Sequence, residues 1–75
     1  MKPEYELWQL KYSKQTEEYV SDKFIESYSE SNDAIKAAKQ LAKRRLSDDE
    51  YYYEIVVETV DEEGDVDTIY SEFIY

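Results

Sequence analysis

The sequence predicts an α+β domain in which one helix packs on one face of a four-stranded antiparallel sheet, in the order β-β-α-β-β. Three observations predict this fold. Two stretches rich in tyrosine and β-branched residues flank the single glycine, Gly64; a run of strong helix formers lies in the middle of the chain; and two further strand patterns precede that run. With 75 residues and no visible linker or repeat, residues 1–75 are expected to form one domain.

The first predicted strand covers residues 5–12, YELWQLKY. Its alternation places Trp8, Leu10 and Tyr12 on one side of an extended chain, and Tyr5 and Leu7 on the other. The polar stretch SKQTEE that follows is typical of a turn.

Residues 19–28, YVSDKFIESY, fit two structures. Val20, Phe24 and Tyr28 recur at helical spacing, whereas Val20, Phe24 and Ile25 also suit a strand with a polar outer face. We prefer the strand because a six-residue connection suits a hairpin and a clearer helix begins soon afterwards. A helix here is the alternative.

The clearest element is the helix predicted over NDAIKAAKQLAKRRL, with Ser31 or Asn32 as its N-cap and Asp33 in its first turn. One face is apolar and the opposite face is basic. The apolar positions are Ala34, Ile35, Ala38, Leu41 and Ala42; the basic ones are Lys36, Lys39 and Lys43. The alanines should allow close packing on the sheet, and the basic face is interpreted as solvated.

The segments YYYEIVVETV and VDTIYSEFIY are predicted to form a hairpin around Glu62-Glu63-Gly64, with Asp61 facing Asp65. That register pairs Val57 with Ile69, Ile55 with Ser71, Tyr53 with Phe73 and Tyr51 with Tyr75 on the helix side. The predicted core is therefore Trp8, Leu10, Ile35, Leu41, Ile55, Val57, Ile69 and Phe73.

On the reverse side of the hairpin, the same register mixes apolar and acidic side chains and sets Glu54 directly opposite Glu72. Like charges in that position destabilise a sheet, and a face with only a solvent role is normally polar and mixed in sign. The sequence therefore predicts a partner-binding surface there, formed by Tyr52, Glu54, Val56, Glu58, Tyr70, Glu72 and Ile74.

Composition excludes several classes of chemistry. The absence of cysteine and histidine removes the thiol nucleophiles, the commonest general base and the commonest transition-metal ligands, and one glycine cannot build a phosphate-binding loop. No catalytic residue, cofactor or metal is predicted, and Glu54 with Glu72 has no evident cleft for acid–base catalysis. The alternating acids Asp61, Glu63, Asp65 and Asp67 are interpreted as a plain turn, with weak cation binding as the alternative.

The charge is strongly acidic and unevenly distributed. The chain carries 19 acidic and nine basic side chains, a net charge of −10, and five of the nine basic residues, among them Arg45, lie between residues 31 and 46. Such a charge disfavours direct binding to nucleic acid or anionic membranes and favours a basic protein surface. Without an apolar leader beside Lys2 or an apolar run of membrane length, a cytoplasmic location is expected.

Two functions are predicted. The first is a non-catalytic acidic protein-binding module, such as a small inhibitor that mimics nucleic acid and occupies a partner's basic, nucleic-acid-binding surface. The second is a self-associating accessory domain, a homodimer whose sheet face is covered by another copy and whose acidity serves only solubility.

Overall fold

The computed structural model describes residues 4–44 and 46–75, and it confirms the predicted β-β-α-β-β order. Lys2 and Arg45, which contribute to the charge balance above, lie outside the described residues. The elements are β1 (Glu4–Ser13), β2 (Tyr19–Tyr28), α1 (Ser31–Ala42), β3 (Tyr51–Val60) and β4 (Val66–Ile74).

The four strands form one antiparallel sheet in the order β2-β1-β3-β4. β1 and β3 are therefore the inner strands, and α1 connects the edge strand β2 to the inner strand β3. The helix covers one face of the sheet, which we call the helix face. No element of the described chain packs on the other face, which we call the open face.

The helix packs closely on the sheet because its central contacts are alanines. Ala34 and Ala38 are fully buried, and Leu41 and Ala42 pack against the same core, as the predicted apolar face requires. The cap prediction was wrong: the N-cap is Glu30, whose side chain makes no capping hydrogen bond. The helix also ends at Ala42, before the basic stretch that had been included in it.

The β3–β4 turn has the predicted geometry. The Asp61 amide donates to the Asp65 carbonyl oxygen at 3.0 Å, and Gly64 adopts a φ of 87°, in the left-handed region that glycine favours. The Asp61 carboxylate accepts hydrogen bonds from the amides of Glu63 and Asp65, both at 2.9 Å. These bonds fix the turn and hold the predicted register through the pair Glu58 and Thr68.

Beyond that pair the predicted hairpin register was wrong, because a β-bulge at Ile69 shifts β4 by one residue. Val57 lies opposite Tyr70 and Glu54 lies opposite Phe73, while Glu72 lies opposite Ile55. A shift of one residue exchanges the faces of every following side chain. The proposed Glu54–Glu72 pair therefore does not form, and its two members lie on opposite faces of the sheet.

Residues 19–28 form a strand, as preferred from the sequence. Its pairing with β1 is interrupted twice, with Ile25 and Val20 as the extra residues. Each bulge breaks the alternation of faces, which explains why this segment had no clean strand pattern. Ile25 packs partly against the core, while Val20 remains 46% exposed.

The core lies between α1 and the inner strands. Ile55 and Val57 are fully buried, which confirms their prediction, and Leu41 packs partly against them. Five other predictions were wrong. Trp8 and Leu10 lie half-buried on the open face, Ile69 and Phe73 are exposed, and Ile35 is only partly buried and lies outside the core cluster. The side chains that replace them on the helix face are Leu7, Tyr70 and Ile74.

Candidate protein-docking site

The open face combines aromatic and acidic side chains, which cross-strand pairing brings together from all four strands. Its aromatic members are Trp8, Tyr12, Tyr19, Phe24, Tyr52, Phe73 and Tyr75. Its acidic members are Glu4, Glu6, Asp22, Glu54 and Glu58. Large apolar groups on this face stay accessible, among them Phe24 (47% exposed), Phe73 (44%) and Tyr75 (77%).

At one end of the open face, four rings form a connected cluster, which we call the aromatic end: Tyr12, Tyr52, Phe73 and Tyr75. Tyr12 stacks on Tyr52 with ring centroids 5.2 Å apart, and Tyr52 stacks on Tyr75 at 5.3 Å. Phe73 lies 6.1 Å from Tyr12 and 6.2 Å from Tyr52. Because neighbouring rings restrain one another, the cluster presents a rigid amphipathic surface at little cost in side-chain entropy.

Glu54 lies within this cluster. Its Oε1 accepts a hydrogen bond of 2.8 Å from the Tyr12 hydroxyl, and Phe73 lies directly across from it on β4. Burial of the phenol, followed by the bond to Glu54, raises the pKa of Tyr12 to about 12, so Tyr12 stays a neutral donor at physiological pH. Within residues 4–44 and 46–75, no lysine or arginine pairs with the Glu54 carboxylate.

The opposite end of the open face is acidic. Glu6 and Glu58 lie directly opposite each other on β1 and β3, and Glu4 is the next residue of β1 on the same face. A like-charge cross-strand pair destabilises a sheet by roughly 0.2–1 kcal/mol. The sequence predicted a destabilising like-charge pair at Glu54 and Glu72. The structure contains such a pair, but its members are Glu6 and Glu58.

The positive charges of the described strands lie on one side of the sheet. In the part of the chain that the structure describes, no lysine or arginine of the strands points to the open face, because Lys11 and Lys23 pair with helix-face residues. Lys11 Nζ lies 3.9 Å from the centroid of the Tyr51 ring, and Lys39 on α1 lies above Tyr70. Among the described strand residues, the open face therefore carries only acidic charges, whereas Lys11, Lys23 and Lys39 lie on the helix side.

Trp8 marks the middle of the open face. Its ring contacts Phe24 edge-on at 5.4 Å, and its cross-strand neighbour on β3 is Val56, which is only 5% exposed. The indole Nε1 is buried and has no hydrogen-bond partner among the described residues. An unpaired buried donor costs free energy of folding.

The predicted partner-binding residues divide between the two faces. Tyr52, Glu54, Val56 and Glu58 lie together on the open face, as predicted. Tyr70, Glu72 and Ile74 lie on the helix face, where Ile74 is buried and the Tyr70 hydroxyl donates to Glu72. The bulge at Ile69 causes this division.

Sequence reasoning missed the open-face residues Trp8, Tyr12 and Phe73. The alternation of β1 did place Trp8 and Tyr12 on one side, but Trp8 and Leu10 of that side were assigned to the core. No comparable pattern marked Phe73, since its face depends on the bulge.

Catalysis and metal binding gain no support from the geometry. The carboxylates of Glu54 and Glu72 lie on opposite faces, so they cannot act as an acid–base pair. The Asp61 carboxylate is engaged with turn amides, and among the described residues no group of three or more potential ligands could hold a metal ion. A bilayer-spanning helix is likewise not found in the described ranges.

Comparison with known proteins adds no relative: no family model, curated protein or solved structure matches this chain. The fold itself defines a small α+β domain with one sheet face that is aromatic, acidic and uncovered by any element of the described chain.

Proposed function

We propose that the protein is a non-catalytic binding module that docks through its open face onto a basic surface of a partner protein. One observation carries the proposal: the uncovered face joins accessible aromatic rings with carboxylates, and no cation of the described strands accompanies them. Aromatic rings gain free energy when they are covered, and carboxylates form charge-assisted hydrogen bonds with arginine and lysine.

Charge complementarity favours a basic partner over a second copy of the chain. In a face-to-face dimer, two open faces that each carry Glu6, Glu54 and Glu58 would bring their like charges into one interface. At the low effective dielectric of an interface, such repulsion is stronger than at a free surface. A basic partner instead neutralises these carboxylates and relieves the Glu6–Glu58 repulsion.

The same surface fits an inhibitor of nucleic-acid binding. A basic groove that binds nucleic acid offers arginine and lysine for phosphates and flat side chains on which bases stack. The open face offers carboxylates in place of phosphates and aromatic rings in place of bases. A module docked in such a groove would exclude nucleic acid from it.

Two double variants with equal net charge test this function. The open-face variant combines Glu54→Lys with Glu58→Lys, and the helix-face control combines Glu26→Lys with Glu72→Lys. The parent protein and the two variants are immobilised separately and exposed to a lysate of the encoding organism. The salt concentration is about 50 mM, where the Debye length exceeds 10 Å. We expect partner proteins to be retained by the parent and the control but lost from the open-face variant.

Competition then tests the inhibitory role. Once such a partner is purified, we expect the parent protein to displace a bound oligonucleotide from it, and the open-face variant to fail. Equal loss of partners from both double variants would contradict docking through the open face. A parent dimer in sedimentation velocity that Phe73→Asp, a change at an exposed open-face residue, converts to a folded monomer would instead favour a second copy as the occupant.

A further inference from the structure

We infer that Glu54 and the surrounding aromatic end form a receptor for an arginine side chain of the partner. This inference rests on the proposed function and names the group that the docking face recognises. Glu54 is half-buried and lies among aromatic rings. Its carboxylate forms no ion pair with a cation of residues 4–44 and 46–75.

The hydrogen bonding of Glu54 leaves room for a further donor. The Tyr12 hydroxyl donates one bond to Oε1, while a carboxylate offers about four lone-pair positions. The hydrogen bond from Tyr12 restrains the position of the Glu54 carboxylate on the open face. A cation that arrives at this site therefore meets a pre-oriented acceptor instead of a flexible side chain.

The rings supply the second part of the receptor. Tyr12, Tyr52 and Phe73 lie with centroids between 5.2 and 6.2 Å apart, so they pack against one another and enclose no cavity among them. Their outer surface, continued by the 77% exposed Tyr75, is a platform on which a flat group can stack. A planar cation suits such a platform better than a compact one.

These two parts together select guanidinium over ammonium. Guanidinium is planar, stacks on aromatic rings and forms two parallel hydrogen bonds with a carboxylate. Lysine ammonium is a strongly hydrated point charge that gains less from a flat aromatic surface. Among the described residues, the acidic end of the open face has no comparable cluster of four rings beside Glu6 and Glu58, and it is expected to treat the two cations alike.

The test compares blocked hexa-arginine and hexalysine peptides, which carry equal charge, as probes for the parent protein. Dissociation constants are measured by fluorescence of the single tryptophan, Trp8, and the site is located from aromatic NMR resonances. For the parent we expect binding at the aromatic end with about fivefold preference for hexa-arginine, the upper range for exposed cation–π contacts. Glu54→Gln should reduce that preference to less than about twofold.

Glu72→Gln is the matched control, because it alters a Tyr70–Glu72 hydrogen bond of 2.8 Å, equal in length to Tyr12–Glu54 but on the helix face. It should leave the arginine preference unchanged. Equal affinity for both peptides, or a preference that survives Glu54→Gln, would overturn the arginine receptor while leaving docking on the open face intact. If neither peptide perturbs open-face resonances, both the receptor and the proposed function fail.

Discussion

Replacing Ile55 with alanine is expected to lower the free energy of unfolding by about 2–5 kcal/mol. Ile55 is fully buried on the helix face, in one core cluster with Ala34, Ala38 and Val57. Truncation removes apolar burial and leaves a cavity, which a helix already packed closely through alanines cannot easily fill. A domain of this size has a total stability of roughly 5–10 kcal/mol, so much of the population should unfold near physiological temperature.

Ile69→Ala is the matched control, since it is the same substitution at a residue that the bulge leaves 38% exposed. It should cost less than about 1 kcal/mol. Urea unfolding followed by circular dichroism measures both variants. Equal costs at the two positions would contradict the register of the β3–β4 hairpin and the assignment of faces that follows from it.

Replacing Phe73 with alanine is expected to weaken partner binding by about thirtyfold or more, as truncation of a central aromatic anchor does in other interfaces. Phe73 is 44% exposed and contacts Tyr12, Tyr52 and Tyr75 at the aromatic end. Truncation removes contact area and loosens the rings that stack beside it. The fold should lose little, because this side chain lies outside the core.

Phe73→Tyr keeps the ring and serves as the conservative counterpart, so its affinity should remain within a few-fold of the parent's. Affinity is measured by surface plasmon resonance with the partner obtained through the charge-reversal capture, and stability by thermal melting. Unchanged binding by Phe73→Ala would mean that the aromatic end takes no part in docking.

Much of the fold was predictable because local patterns determine it. The helix formers between Asp33 and Leu41, the alternation of β1 and the glycine turn each predict their element without knowledge of the others. These patterns agree with one another, and the structure confirms the order of elements, the antiparallel sheet and the face of β3 that receives the helix.

The composition of the docking face was less predictable, because β4 carries apolar residues on both alternations. Ile69 and Phe73 form one apolar set, and Tyr70 and Ile74 form the other. Either register would therefore place apolar side chains on the helix face, and the hydrophobic pattern cannot distinguish the two. The bulge at Ile69 decides between them by placing Ile74 in the core and Phe73 beside Tyr12. The residues of this segment do not predict the bulge.

The face of β1 that packs against the helix was also predicted wrongly. Trp8 and Leu10 were expected in the core, and Tyr12 lies on the same side of the strand. A helix that contacts the sheet through Ala34 and Ala38 lies too close to accommodate an indole, so the smaller Leu7 is buried there instead. The large residues consequently form the open face, which is why the candidate site is more aromatic than predicted.

If the open face contacts the partner, a side-chain NMR footprint will record that contact on the aromatic rings. Protein labelled at its aromatic rings is titrated with the purified, unlabelled partner. Resonances of Trp8, Tyr12, Tyr52 and Phe73 are predicted to shift or broaden, while those of the helix-face residues Tyr28 and Tyr70 remain in place. Perturbation of Tyr28 and Tyr70 with an unchanged open face would contradict the account.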